Sequence, residues 1–378
     1  MYEELAVSRT RRTMTATARL LRVLHLDGTL MLALAAVIAF GLFVLYSAAG
    51  DNQSLWLSQL ARIGIGGAVL VALAQVPDRF LRLLAPVVWL IGLALLLAVA
   101  VIGDTGKGAQ RWLDLGIVRF QPSELMKLAV PMMCAWYLHT RPLPPSAGNI
   151  GAVLALVLVP AVLIAAQPDL GTALLVTAAG LLVLLLGGIQ ARFIVGGFTL
   201  GGAAVPLLWL VMHDYQRQRV LTLLDPHSDP LGAGYHIIQS QIAIGSGGVF
   251  GKGWTNGSQA QLEFLPERST DFIFAVVGEE LGLLGVLALL CGYGLVIGRS
   301  LVMAVQCRDT FARLLGGSLA LTFFVYVLVN AGMVMGLLPV VGVPLPLVSY
   351  GGTAMVTLLA GFGILMSLHS RRQLMGSR

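Results

Sequence analysis

Ionisable residues that stand inside or at the edge of apolar stretches carry most of the chemical information in this chain, because charge is expensive there. In FQPSELMKL, Glu124 and Lys127 are three residues apart. On a helix they share a face, so the pair can neutralise itself and still offer an ammonium donor to an anionic group. In LEFLPERSTDFIFAVVGEELGLLG, a polar segment ends at Asp271 and a long apolar run follows. Asp271 is either the cap of that helix or a carboxylate at the mouth of a membrane cavity, able to take a proton from an attacking hydroxyl. Arg268 and the helix N-terminus favour its anion, whereas burial opposes it. On a continuous helix Glu279 would lie about 80° around from Asp271 and roughly 12 Å deeper, with Glu280 about 180° away. The three cannot flank one reacting atom as a glycosidase pair does, so Glu279 and Glu280 read as buried, hydrogen-bonded supports.

Other candidates are weaker. Arg111 and Trp112 in GKGAQRWLDLG, beside Lys107, suit anchoring at headgroup level or contact with an anionic headgroup. The glycine-rich GSGGVFGKGW invites a phosphate-loop reading, but Ser246 and Gly253 occupy the places where that motif needs Gly and Ser or Thr. Tight backbone turning remains, with Lys252 available to a lipid phosphate. Cys134, Cys291 and Cys307 form no CxxC and have no histidine cluster beside them, so they read as packing residues. No compact set of metal ligands is visible, which leaves a divalent cation possible but without assigned ligands.

The elements that must position these residues are membrane helices. Of 378 residues, 57% are hydrophobic and 11% charged, against roughly 25% charged in a soluble domain, which excludes a soluble enzyme. Nucleic acid is not indicated by the net charge of +6, since the basic residues fall between apolar blocks rather than along one face. Apolar runs at 30–48, 59–76, 84–102, 121–138, 149–166, 170–187, 193–211, 272–297, 314–338 and 349–368 predict an all-α polytopic membrane protein of about ten transmembrane helices. They imply a basic N-terminal tail over 1–29, one membrane domain over 30–368 and a C-terminal tail over 369–378.

Ten spans place both termini on one side. That side carries Arg9, Arg11, Arg12, Arg19, Arg22, Arg79, Arg82, Arg141, Arg192, Arg299, Arg308, Arg313, Arg371, Arg372 and Arg378, and the other side keeps Arg62, Lys107, Arg111 and Arg119. The 212–271 loop is left out of this comparison because long loops translocate whatever their charge. The asymmetry predicts cytoplasmic termini, with 103–120 and the large 212–271 loop on the outer face. In that loop Ile237, Ile238, Ile242 and Ile244 favour an interfacial or re-entrant helix.

The stretches GAQRWLDLG, FQPSELMKL, AQPDLGTALL, YQRQRVLTLLDPHSDPLGAGYHIIQSQIAIGSGGVFGKGW, QLEFLPERSTDFIF, GEELG and PLPLVSYGGTAM resemble the SEDS family of bacterial cell-wall polymerases, and its elongation branch more than its division branch. They span about Gly108 to Met355. Ser269 and Ala354 depart from residues common in relatives. The resemblance implies peptidoglycan glycosyltransferase activity, polymerising lipid II on the outer face of the bacterial cytoplasmic (inner) membrane during cell elongation. It also implies a class B penicillin-binding protein as partner and Asp271 as the catalytic carboxylate, with Arg111, Glu124 and Lys127 at positions of the outer cavity.

The implied chemistry suits the residues. An α-linked lipid pyrophosphate donor giving a β-1,4 bond requires attack from the face opposite the leaving group. One base suffices, and pyrophosphate leaves with cationic stabilisation rather than a general acid. Lys127, Arg111 or a divalent cation could supply it. Two rival readings are a lipid II flippase, with Glu124 and Lys127 marking the headgroup path, and a non-catalytic scaffold for the partner synthase.

Overall fold

The computed structural model describes residues 21, 23–50, 52–106, 109–114, 119–212, 214–229, 232–262, 264–265 and 267–374. Arg9, Arg11, Arg12, Arg19, Arg22, Lys107 and Arg378 lie outside the described residues. Helices occupy all ten stretches expected from the apolar runs: α1 (Gly28–Ala49), α2 (Gln53–Gln75), α3 (Asp78–Ile102), α4 (Pro122–Leu138), α5 (Ala147–Ala166), α6 (Leu170–Leu186) and α7 (Ala191–Val211) before the large loop. The loop contains α8 (Asp214–Leu224), α9 (Ala233–Gly247) and the single turn α10 (Ser258–Gln261), and is followed by α11 (Ile273–Gln306), α12 (Thr310–Val334) and α13 (Thr353–Leu374). Seven of these, α1, α2, α3, α5, α11, α12 and α13, are long and apolar enough to cross a membrane, and α6 and α7 add shorter apolar helices. The chain is thus an all-helical polytopic membrane protein. Its last helix runs to Leu374, into the stretch read from sequence as a tail.

One strand element was not expected. Residues 103–120 include β1 (Asp104–Gly106), β2 (Ala109–Asp114) and β3 (Arg119–Phe120), antiparallel in the order β1-β2-β3. The strands are short and half-polar, so no sustained alternation announces them.

Packing makes α12 the central helix. Its apolar window is 72% buried, against 22% for α2 and for α3, whose outer faces are left to lipid. One hydrophobic cluster joins α1, α2, α11 and α13, a second joins α3 to α6, a small third gathers Leu175, Tyr326, Val329 and Val343, and α12 contributes to all three. At the end where α1 begins and α13 finishes, Arg299 pairs with Asp27 at 2.6 Å and Arg82 with Asp309 at 2.9 Å. Each aspartate also caps its helix, accepting from Leu30 N and Ala312 N. The opposite end gathers the β-strands, the α5–α6 turn, the large loop and the α12–α13 connection.

Candidate active site

Asp271 sits in the turn that leads into α11. The helix begins at Ile273, and its cap position is Phe272, which makes no side-chain capping bond. Asp271 is therefore not the N-cap expected as one of its two roles, because the helix starts one residue too late. What holds the turn is backbone recognition from two other elements. Asn330 Nδ2 on α12 donates to Asp271 O at 2.8 Å and to Val343 O at 2.7 Å. In the α12–α13 connection, Tyr350 N donates to Ser269 O at 2.8 Å and Ser349 Oγ donates to Thr270 O. Ser269 contributes its carbonyl here, which any residue provides. The half-buried carboxylate lies against Gly342, where a Cβ would sit 3.5 Å from Asp271 Oδ2. Beside this turn, burial holds the His236 imidazole below its ordinary range, although Glu267 and Asp229 pull the other way. It stacks on Phe272 at 5.4 Å between centroids.

The second half of the site is built on the first turn of α4. Pro122 occupies the start of the helix, where its missing N–H costs nothing. Lys127 Nζ meets Glu124 Oε1 at 2.6 Å with both side chains buried. Glu124 Oε2 has no hydrogen-bond partner among the described residues. Lys127 also lies 5.2 Å from the ring centroid of Tyr326 on α12. Nearby, Asp169 caps α6 by accepting from Thr172 N and takes a hydrogen bond from Gln121 at 2.8 Å. Arg111 on β2 donates through Nε to Gln167 O at 3.1 Å and through Nη2 to Pro168 O. Its guanidinium ties the strands to the α5–α6 turn.

The start of α6 approaches the α12–α13 connection so closely that a Cβ on Gly171 would lie 2.7 Å from Val341 O. Overpacking of this kind costs about 1–3 kcal/mol, and Val341 adjoins Gly342 beside Asp271. Gly171→Ala is expected to lower the midpoint of thermal unfolding in detergent and to reduce activity with it. An unchanged midpoint would show that the contact is slack.

The helix α12 brings the two halves together. Tyr326, beside Lys127, and Asn330, beside Asp271, are four residues apart, about 6 Å along the axis. Two small cavities, of about 40 and 10 Å³, share Tyr326 and Leu358. The first opens on Lys127 and the second on Ser349 and Gly351. Among the described residues no three His, Cys, Asp or Glu side chains converge as metal ligands.

Lys252, Arg268, Glu279 and Glu280 belong to a different structure, a splice between the large loop and a break in α11. Gly282 is non-helical, with φ 63° and ψ −161°. Backbone groups orphaned at that break cannot be left unsatisfied at membrane depth. Lys252 N and Gly253 N donate to Glu279 O and Glu280 O at 2.9 and 3.0 Å, while Leu283 N and Leu284 N donate to Gly248 O and Val249 O at 3.0 and 3.2 Å. The glycine-rich run thus completes a broken helix, and Gly251, at φ +79° against Glu280 O, permits the close approach. Glu279 accepts from Lys252 Nζ at 2.7 Å, Ser258 Oγ at 3.1 Å and Gln259 N at 2.9 Å, and Glu280 accepts from Ser47 Oγ at 2.6 Å. Lys252 is engaged here, not presented to a lipid phosphate. Arg268 donates to Ala48 O at 2.9 Å and to Ala260 O, pinning the loop to the end of α1.

Sequence reasoning on single residues missed Asp169, Tyr326, Asn330, Ser349 and Tyr350. Three of them lie in AQPDLGTALL and PLPLVSYGGTAM, stretches that stand out as motifs without any role being legible in them. Tyr326 and Asn330 lie in an apolar run and gave no signal beyond their polarity.

Comparison with known proteins agrees with this architecture. The cell cycle protein family model that groups FtsW, RodA and SpoVE matches residues 27–374. The peptidoglycan glycosyltransferase MrdB of Escherichia coli (strain K12) is 55% identical over 352 residues, 93% of this chain and 95% of that protein. A probable peptidoglycan glycosyltransferase FtsW of Idiomarina loihiensis is 35% identical, covering 91% of this chain and 87% of the relative. Among solved structures, a chain from a peptidoglycan synthase complex that coordinates polymerization and crosslinking superposes with a TM-score of 0.82 at 34% identity, over 92% of this chain and 98% of that one. The rod shape determining protein RodA of Thermus thermophilus gives 0.70 at 31% identity, over 92% and 97%. With helices, loop motifs and near-complete coverage in accord, the chain belongs to the SEDS family, which includes FtsW and RodA.

Proposed function

We propose that this chain polymerises lipid II into β-1,4-linked glycan on the outer face of the cytoplasmic membrane, with Asp271 as general base. The enzyme class follows from 55% identity to a peptidoglycan glycosyltransferase over 93% of the chain: the chain is a peptidoglycan glycosyltransferase. The observation that carries the finer reading is that the Asp271 turn and the Glu124–Lys127 pair each contact α12, one helical turn apart, through Asn330 and Tyr326. Asp271 takes the proton of the acceptor hydroxyl as it attacks the face of the donor sugar opposite the pyrophosphate, so the product inverts. Lys127 offsets the charge that develops on the leaving group in a setting where water screens it little. Both termini are cytoplasmic in this reading, which rests on the basic residues at their end of the bundle. A single-span class B penicillin-binding protein cross-links the product. Support for that partner comes from the similar chain solved within a peptidoglycan synthase complex.

The test is glycan formation by purified protein given lipid II on an accessible face, with and without such a partner. Polymer is expected without any transport step. Translocation with no polymer would favour the flippase, and polymer absent unless another polymerase is added would favour the scaffold.

A further inference from the structure

Arg62 lies within α2, about 14 Å along the axis from the start of that helix, in the apolar run WLSQLARIGIGG. No carboxylate pairs with it among the described residues. Its guanidinium lies over the ring of Tyr350 at 4.2 Å, and its Nη1 is buried without a hydrogen-bond partner among the described residues. Three residues earlier on the same face, fully buried Gln59 donates through Nε2 to Ser349 O at 3.1 Å, and its Oε1 is likewise unpartnered. Arg62 is half-buried, but an unsatisfied buried donor or acceptor costs about 1–3 kcal/mol, and the cation–π contact supplies no hydrogen-bond partner to either atom. The arrangement is therefore incomplete in a specific way: it holds one cationic donor and one neutral acceptor ready, both unused. Tyr350 and Ser349 are the residues that grip the carbonyls of Ser269 and Thr270, so Arg62 and Gln59 adjoin the turn that carries Asp271.

We infer that Arg62 and Gln59 form an anion subsite for a phosphate of a lipid-linked glycosyl pyrophosphate. Arg62 holds a phosphate oxygen and Gln59 Oε1 accepts from a neighbouring hydroxyl or amide N–H of the sugar. The planar guanidinium, kept flat by Tyr350, is pre-oriented for phosphate. This rests on the substrate class proposed above. It assigns the second cation of the site to α2, on the Asp271 side, complementing Lys127 on the Tyr326 side.

The test is binding of polyprenyl pyrophosphate, polyprenyl monophosphate, polyprenol and inorganic pyrophosphate to purified wild type, Arg62→Gln, Arg62→Lys and Asp271→Asn, each checked for folding by thermal unfolding. Wild type and Asp271→Asn should bind the lipid pyrophosphate at least about 10-fold tighter than the polyprenol, as expected for a charge-assisted hydrogen bond. Arg62→Gln should weaken that preference at least several-fold, with Lys127 holding the remainder. Arg62→Lys, which keeps the charge without the flat stack, should retain it within a few-fold and decides the matter if the glutamine variant does not fold. Inorganic pyrophosphate competing as well as the lipid would identify a free-phosphate site, overturning the lipid-linked assignment. Full preference in folded Arg62→Gln, or its complete loss in Arg62→Lys, would reduce Arg62 to a brace for Tyr350 and overturn the proposal. Wild type that binds the lipid pyrophosphate through Arg62 yet forms no polymer would sink the polymerase reading and leave the subsite standing.

Discussion

Asp271→Asn is expected to lower glycan polymerisation at least about 100-fold while leaving the protein folded and able to bind lipid II. The amide matches the carboxylate in shape, and the contacts that set the turn are made by backbone. Asn330 reads the Asp271 carbonyl, and Tyr350 N and Ser349 Oγ read the carbonyls of Ser269 and Thr270, none of which the substitution touches. Phe272 holds the cap position of the helix, and the amide keeps a carbonyl oxygen that can accept as the carboxylate does. What the amide cannot do is accept the sugar hydroxyl's proton, and general base catalysis contributes typically about 10² to 10⁴ in rate. The measurement is chain formation from purified lipid II by wild type and variant beside the same partner, with unfolding midpoint and lipid II affinity in parallel. Equal polymer yields from the two would remove Asp271 from the reaction.

The sequence discloses helices far better than contacts. Each span is a contiguous apolar run whose length is set by the bilayer, so every one of the ten stretches is found helical, and the isoleucines of 237–244 mark α9 within the large loop. Pairing of Glu124 with Lys127 is legible for the same reason: three residues on one helix is a local rule. The remaining contacts join residues remote in sequence. Lys252 finds Glu279 across 27 positions, Arg111 finds Pro168 across 57, and Gln59 finds Ser349 across 290. No periodicity reports such pairings. The expected geometry of Glu279 and Glu280 assumed an unbroken helix from Asp271, whereas the helix starts at Ile273 and breaks at Gly282. Both glutamates support the splice from neighbouring positions just before the break, Glu279 capturing the loop through Lys252, Ser258 and Gln259, and Glu280 taking Ser47 of α1.

Glu124→Ala is expected to destabilise the protein and abolish activity, and the double change Glu124→Ala with Lys127→Ala to restore stability alone. Removing one partner of a buried pair costs about 3–5 kcal/mol, because the other charge is left unpaired. Tyr326, 5.2 Å from the ammonium, can return at most about 2 of that through its ring, so the loss outweighs the compensation. Removing both charges eliminates the desolvation cost, and the unfolding midpoint should return toward that of wild type. Activity should not follow it. Among the described residues Glu124 Oε2 is buried without a partner, an arrangement that a pair kept only for stability would not retain, since an unsatisfied buried acceptor costs about 1–3 kcal/mol. It fits a site in which substrate supplies the missing donor and the ammonium meets the leaving group. Unfolding midpoints and polymer yield from lipid II, measured on wild type, single and double variants, separate the two contributions. A double variant that polymerises like wild type would confine the pair to a structural role and shift the cationic stabilisation of pyrophosphate away from Lys127.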